Sequence, residues 1–257
     1  MPIVRAGAKL IYFAHVPKCG GSAVETYLAD RFGSVAFLDH AFMSRDAQAR
    51  WSATSPQHID AAAFDTLFPR SFFDASFAVV RHPVSRLVSA YHFQREMERA
   101  IPEGQDFSTW LDTLPARLAT QRDAYDNHIR PMSDLVPGGA AVFHLEHGLD
   151  ALVPWLDTVT GAATGPRRIA RMNTRGAYAT VTSEAAPKAV VTEADRDLIS
   201  VLYAEDFARF SYVLHEAAPS RRPPGVARAA LTGRGHALEL ALGPVRRLSR
   251  RLRRLLA

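Results

Sequence analysis

The feature that most constrains this chain is a short apolar run that breaks into a glycine-containing loop and then into a helical pattern. Leu10-Ile-Tyr-Phe-Ala14 is rich in strand formers and predicts a buried strand. Val16-Pro-Lys-Cys-Gly-Gly21 follows as a loop. Ser22-Ala-Val-Glu25 has the spacing of a capping box, and Val24, Tyr27, Leu28 and Phe32 continue at helical spacing. A strand feeding a helix through such a loop is a recipe for holding an anion. Backbone N–H groups at a helix start are unpaired, and the helix dipole favours negative charge there.

The same alternation recurs along the chain. A strand is expected near Val35 to Leu38, and a clearer one at Phe77-Ala-Val-Val80, which runs into Arg81-His82-Pro83. Proline suits the first turn of a helix, and Val84, Leu87, Val88 and Tyr91 give that helix its apolar stripe. Ala140 to Leu145 reads as a further strand, with a helix from about Gly148 to Val159. Thr192 can cap a late helix carrying Leu198, Ile199 and Leu202. Apolar strands alternating with amphipathic helices predict an α/β domain whose parallel sheet is flanked by helices on both faces. With 257 residues, 47% of them apolar, the chain can bury one full core.

Charge divides the chain near Pro219. From Pro219 to Ala257 there are ten arginines and one acid, whereas the preceding 218 residues carry 21 Lys+Arg and 25 Asp+Glu. The basic character therefore belongs to the tail and gives no support to a nucleic-acid-binding body. Within the tail, Val245, Leu248, Leu252, Leu255 and Leu256 share one helix face, with arginines around the rest. A C-terminal basic amphipathic helix of this kind suits an anionic membrane surface, the chain's own body or an acidic polysaccharide. We expect a domain over residues 1–218 and a linker with basic tail over 219–257. Cys19 is the single cysteine, and no apolar leader precedes the first strand, so a cytoplasmic location is expected.

In the glycine loop, Gly20 and Gly21 let the backbone approach a phosphate, Lys18 adds a charge, and Ser22 can add a hydroxyl. Lysine precedes the glycines, unlike a Walker A loop, where it follows them. Arg81 stands where a parallel strand ends, the edge at which open α/β sheets bind ligands. Ser89 shares a helix face with Ser85 and His92, so an arginine fork and a hydroxyl could meet a second phosphate.

Together these two elements resemble the donor-binding signatures of sulfotransferases. The chain is similar to sulfotransferase family 2, in particular to the carbohydrate sulfotransferases of the heparan-sulfate 2-O and chondroitin/dermatan group. Gln57-His58, Asn127-His-Ile-Arg-Pro131, Val142-Phe-His-Leu-Glu146, Met172-Asn173 and Tyr203-Ala-Glu-Asp-Phe207 look like later landmarks of that family in the expected order. The likeness runs from about Leu10 to Leu214. It departs from the family at Cys19, where threonine is frequent, at His82, where Asn, Asp or Glu is usual, and at Met132, where glutamine is common.

The resemblance implies a P-loop-like fold and a 3′-phosphoadenosine 5′-phosphosulfate (PAPS) donor. Lys18, Cys19, Gly20, Gly21, Ser22 and Ala23 would hold the 5′-phosphosulfate. Arg81 and Ser89, with Arg175, would hold the 3′-phosphate. It places the catalytic base at His58; His15, which directly precedes the phosphate loop, is the runner-up among ten histidines. His128 and Arg130 could grip an acidic sugar acceptor. Transfer to a hydroxyl needs no metal, and no cluster with ligand spacing is visible along the chain. Two rivals stay open: a kinase-like phosphoryl transferase on the same plan, and a non-catalytic binder acting through the tail. The first would want an aspartate where Phe77–Val80 ends, and the residue there is Arg81.

Overall fold

The computed structural model describes residues 1–170, 172 and 189–219. Among these, β1 (Ile3–Ala6), β2 (Lys9–Ala14), β3 (Val35–Ala36), β4 (Ala75–Val80) and β5 (Ala141–His144) form one sheet in the order β3-β1-β2-β4-β5. β2, β4 and β5 run parallel, with Phe13 opposite Phe77 and Val80 opposite His144. β1 is antiparallel to both β2 and β3, so the expected parallel sheet is corrected to a mixed one. Ile3-Val-Arg-Ala6 is only four residues long, and Gly7-Ala8 turns it straight back so that Ala6 pairs with Lys9. Gly7 takes the left-handed φ of 63° that this tight hairpin needs. A strand this short leaves little alternation to read.

Helices α1 (Gly21–Phe32), α2 (Ala61–Leu67), α3 (Pro83–Glu96), α4 (Phe107–Leu111), α5 (Leu114–Thr120), α6 (Met132–Leu135), α7 (Leu152–Thr160), α8 (Glu193–Leu202) and α9 (Ala204–Phe210) flank the sheet. Thr192 caps α8 in a full capping box with Asp195. The box expected at Ser22 does not form: Gly20, at φ 85°, is the cap, and Glu25 turns to His15 instead.

The main core joins sheet to helices through aromatic contacts. Phe13 stacks on Phe77 at 4.9 Å, and Phe77 meets Trp155 at 5.3 Å. Each is nearly or wholly buried, and each such side chain contributes about 1.5–3 kcal/mol. A second cluster packs Leu87 and Tyr91 of α3 against Phe107, Trp110, Ile199 and Tyr203.

This topology gathers one edge of the sheet. The carboxyl ends of β2, β4 and β5 lie together, and antiparallel β1 brings Met1 to the same edge, where its amino group donates to the Pro56 carbonyl. Residues 220–257, with the expected amphipathic helix, and Arg175 lie outside the described residues. Among the described residues no helix is long and apolar enough to cross a membrane.

Candidate active site

The loop after β2 is shaped by left-handed residues. Lys18 has φ 67° and Gly20 φ 85°, which turns the chain so that α1 starts with its N–H groups facing the sheet edge. Ser22 makes no cap bond, so its hydroxyl is not claimed by the helix. The Cys19 side chain faces inward, its Sγ 4.0 Å from Met132 Sδ, and burial pushes the thiol up to about 12. Cys19 and the buried Ala23 can therefore serve an anion only through their backbone. The Lys18 ammonium lies 3.7 Å from the centre of the Phe93 ring, and burial, then Arg81, lowers it to about 8.

Gly21 explains itself through His15. A Cβ at residue 21 would sit 1.9 Å from His15 Nε2. The imidazole thus roofs the loop at a place only glycine permits, and Glu25 Oε1 holds its Nδ1 at 2.5 Å. Burial works against the Glu25 charge, but His15 holds the carboxyl below the usual range.

At the end of β4, Arg81 Nη1 donates to the Lys18 carbonyl at 3.3 Å, which joins the two expected phosphate elements. Ser85 and Ser89 follow one turn apart on α3. Arg81 and Ser85, with Val88, Val191, Arg196 and Leu214, line a cleft of about 400 Å³. Arg86, missed in the sequence, is 1% exposed and donates to the carbonyls of Pro17, Arg130 and Asn127 at 3.0, 2.7 and 3.4 Å. It fastens the glycine loop to the segment that carries His128.

That segment is bent by three successive left-handed residues: Tyr125, Asp126 and Asn127 have φ of 54°, 55° and 63°. Each costs roughly 1 kcal/mol or more, a strain that needs support from its surroundings. The support comes from hydrogen bonds. Asn127 Nδ2 donates to the His58 carbonyl at 2.7 Å, and Asp126 Oδ2 lies 2.6 Å from His58 Nδ1. Ser55 adds two more bonds to Asp126, from its backbone N–H and its hydroxyl, each 2.7 Å. Burial lowers His58, and outweighs Asp126, which favours its charged form. Burial opposes the charge of Asp126, yet hydrogen bonds from His58 and Ser55 hold it well below the usual carboxylate range.

The histidines converge. His58 meets His15 edge-on at 4.7 Å and His128 at 5.3 Å. His128 packs on Phe93, the ring under Lys18, at 5.0 Å, and its Nδ1 accepts from Gln94 at 2.9 Å. Burial pushes His128 well below its ordinary value. Residues from four distant segments thus surround one point. Arg130 is differently placed: its guanidinium is committed to Asp60 at 2.9 Å and Asp134 at 3.3 Å. The ligating atoms of His58, Asp126 and His128 lie within 4.8 Å of one another. The 2.6 Å contact between Asp126 and His58 is a hydrogen bond.

Several landmarks prove to be scaffold. Glu146 accepts from the His82 N–H at 2.7 Å, Asp206 from the N–H groups of Met132 and Ser133 at 2.8 and 2.7 Å, and the Tyr203 hydroxyl donates to the Ile129 carbonyl at 2.6 Å. Each ties a site segment to a strand end or a helix. The sequence profile of the sulfotransferase family matches residues 1–213. The chain belongs to the sulfotransferase family. Comparisons with curated proteins and with solved structures gave no match. Membership in the sulfotransferase family supports an enzyme that transfers a sulfuryl group to a hydroxyl acceptor.

Proposed function

We propose that this sulfotransferase moves a sulfuryl group from PAPS to a hydroxyl of a carbohydrate or glycoconjugate, with His58 as general base. One observation carries the reading. His58, from a segment far along the chain, packs 4.7 Å from His15, whose ring roofs Gly21 of the phosphate loop.

On this reading the N–H groups at Gly20 to Ala23, with Ser22 and Lys18, cradle the 5′-phosphosulfate. Arg81 and Ser89 take the 3′-phosphate, and the cleft beside Arg81 and Val88 takes the nucleoside. The acceptor oxygen forms its bond to sulfur as the bridging bond from sulfur to the phosphate oxygen breaks. His58 takes the acceptor proton, a task suited to an imidazole kept neutral by burial. Lys18 neutralises the departing phosphate, where a preorganised charge helps most as the bond breaks. His128 flanks the acceptor. Arg130 is proposed to support it indirectly, because its guanidinium already holds Asp60 and Asp134. The basic tail is proposed to meet an anionic membrane surface.

The test is transfer from radiosulfate-labelled PAPS to desulfated heparin, desulfated chondroitin and simple glycosides. Label should enter a carbohydrate, and His58→Ala should lower turnover by about 10²-fold or more with donor affinity retained. A His58→Ala variant with wild-type turnover would remove His58 from the mechanism.

A further inference from the structure

We propose that Asp126 is the positioning residue for the base: it holds His58 with Nδ1 as a hydrogen-bond donor, so that Nε2 keeps its lone pair for the acceptor hydroxyl. The proposal deepens the reading of His58 as base and rests on it.

The tautomer follows from counting protons among four atoms. His58 Nδ1 faces two oxygens, Asp126 Oδ2 at 2.6 Å and Ser55 Oγ at 3.0 Å. Ser55 Oγ also lies 2.7 Å from Asp126 Oδ2. An ionised carboxylate can only accept, so the Ser55 hydroxyl spends its one proton on Asp126. Nδ1 is then left against two oxygens with no proton directed at it. It must carry its own, and a neutral imidazole with Nδ1–H has its lone pair on Nε2.

The carboxylate is itself fixed. Ser55 N–H binds Oδ1 at 2.7 Å, so both oxygens of Asp126 are tied to the Ser55–His58 turn. Asn127 Nδ2 grips the His58 carbonyl at 2.7 Å. The strained run at residues 125–127 therefore holds His58 at its ring and at its backbone. His15 and His128 both pack edge-on against the ring, at 4.7 and 5.3 Å.

Groups facing His58 come from every neighbouring element. The turn at 125–127 supplies Asp126, the loop after β2 supplies His15 with Glu25 of α1 behind it, and the chain start supplies the Met1 amino group. His128 also packs on the ring, and Lys18 and Arg86 act on His128 in turn. Among the described residues, Asp126 is the charged group hydrogen-bonded to the ring, and its anion favours the imidazolium. Removing that charge shifts the titration of the base downward.

The experiment compares Asp126→Asn with wild type and His58→Ala in PAPS-dependent transfer, alongside the nitrogen-15 histidine spectrum of each. Asp126→Asn should lower kcat by about 10²–10⁴-fold with donor affinity unchanged, as expected when a base is left in the wrong tautomer. The acid limb of kcat/KM should move to lower pH, a change that loosened packing alone would not produce. The wild-type spectrum should show His58 protonated at Nδ1, a result that stands even if the Asn variant folds poorly. Wild-type His58 protonated at Nε2, or an Asp126→Asn variant with wild-type kcat and pH profile, overturns the proposal while His58→Ala remains inactive. A fully active His58→Ala overturns the base assignment itself, and the proposal with it.

Discussion

Gly21→Ala is the substitution whose consequence can be worked furthest from the structure. The new Cβ would lie 1.9, 2.2 and 2.4 Å from Nε2, Cδ2 and Cε1 of His15, so the ring must leave. It has no easy retreat: Glu25 holds Nδ1 at 2.5 Å, Phe13 stacks at 5.5 Å, and His58 sits edge-on at 4.7 Å. If His15 swings out, Glu25 loses the partner of Oε1 while Oε2 is already buried without one. Breaking a buried pair in this way costs about 3–5 kcal/mol. For a domain of this size that corresponds to a fall in Tm of roughly 6–20 °C. Thermal melting of Gly21→Ala, His15→Ala and the double variant tests the reasoning. Because the clash needs the imidazole, the double variant should melt no lower than His15→Ala alone. A Gly21→Ala variant melting within about 1 °C of wild type, or losses that simply add, would refute it.

Two further predictions concern Lys18 of the loop and Arg86 of α3, which fastens it. Burial, and after it Arg81, lowers Lys18 to about 8, so the ammonium is present below that pH and lost above it. Affinity for an adenosine bisphosphate should fall as pH rises through about 8, and Lys18→Arg, charged throughout, should flatten the dependence in calorimetry. Arg86→Lys cannot reach Pro17, Arg130 and Asn127 together, and each orphaned carbonyl costs about 1–3 kcal/mol, read as a lower denaturant midpoint.

Strands β2 and β4, the loop between β2 and α1, and the helix after Pro83 were legible because each announces itself within a dozen residues. Apolar runs end in glycine or proline, and the helices carry their stripe at local spacing. β1 was hidden by its length, and with it the mixed character of the sheet. The site divides along the same line. Lys18, Gly21 and Arg81 are marked by local sequence, and His58 by a two-residue landmark. Asp126, Ser55, Glu25 and Arg86 act only through partners brought by the fold, in the widest cases about seventy positions away. The Ser22 capping box shows the converse. Its local spacing was right, but Glu25 found a stronger partner in buried His15 than the backbone of the helix start.

The central claim is that the loop at Lys18 and the arginine at position 81 hold the two ends of one phosphoadenosine donor. The most direct test is the thermal shift given by 3′-phosphoadenosine 5′-phosphate beside that given by ATP with Mg²⁺, for wild type and for Arg81→Ala. A ligand that binds only the native state raises Tm, and at a fixed concentration it does so more the tighter it binds. The account predicts a clear rise with the bisphosphate, a far smaller one with ATP, and loss of most of the first in the variant. Equal stabilisation by both nucleotides, undiminished in Arg81→Ala, would contradict it.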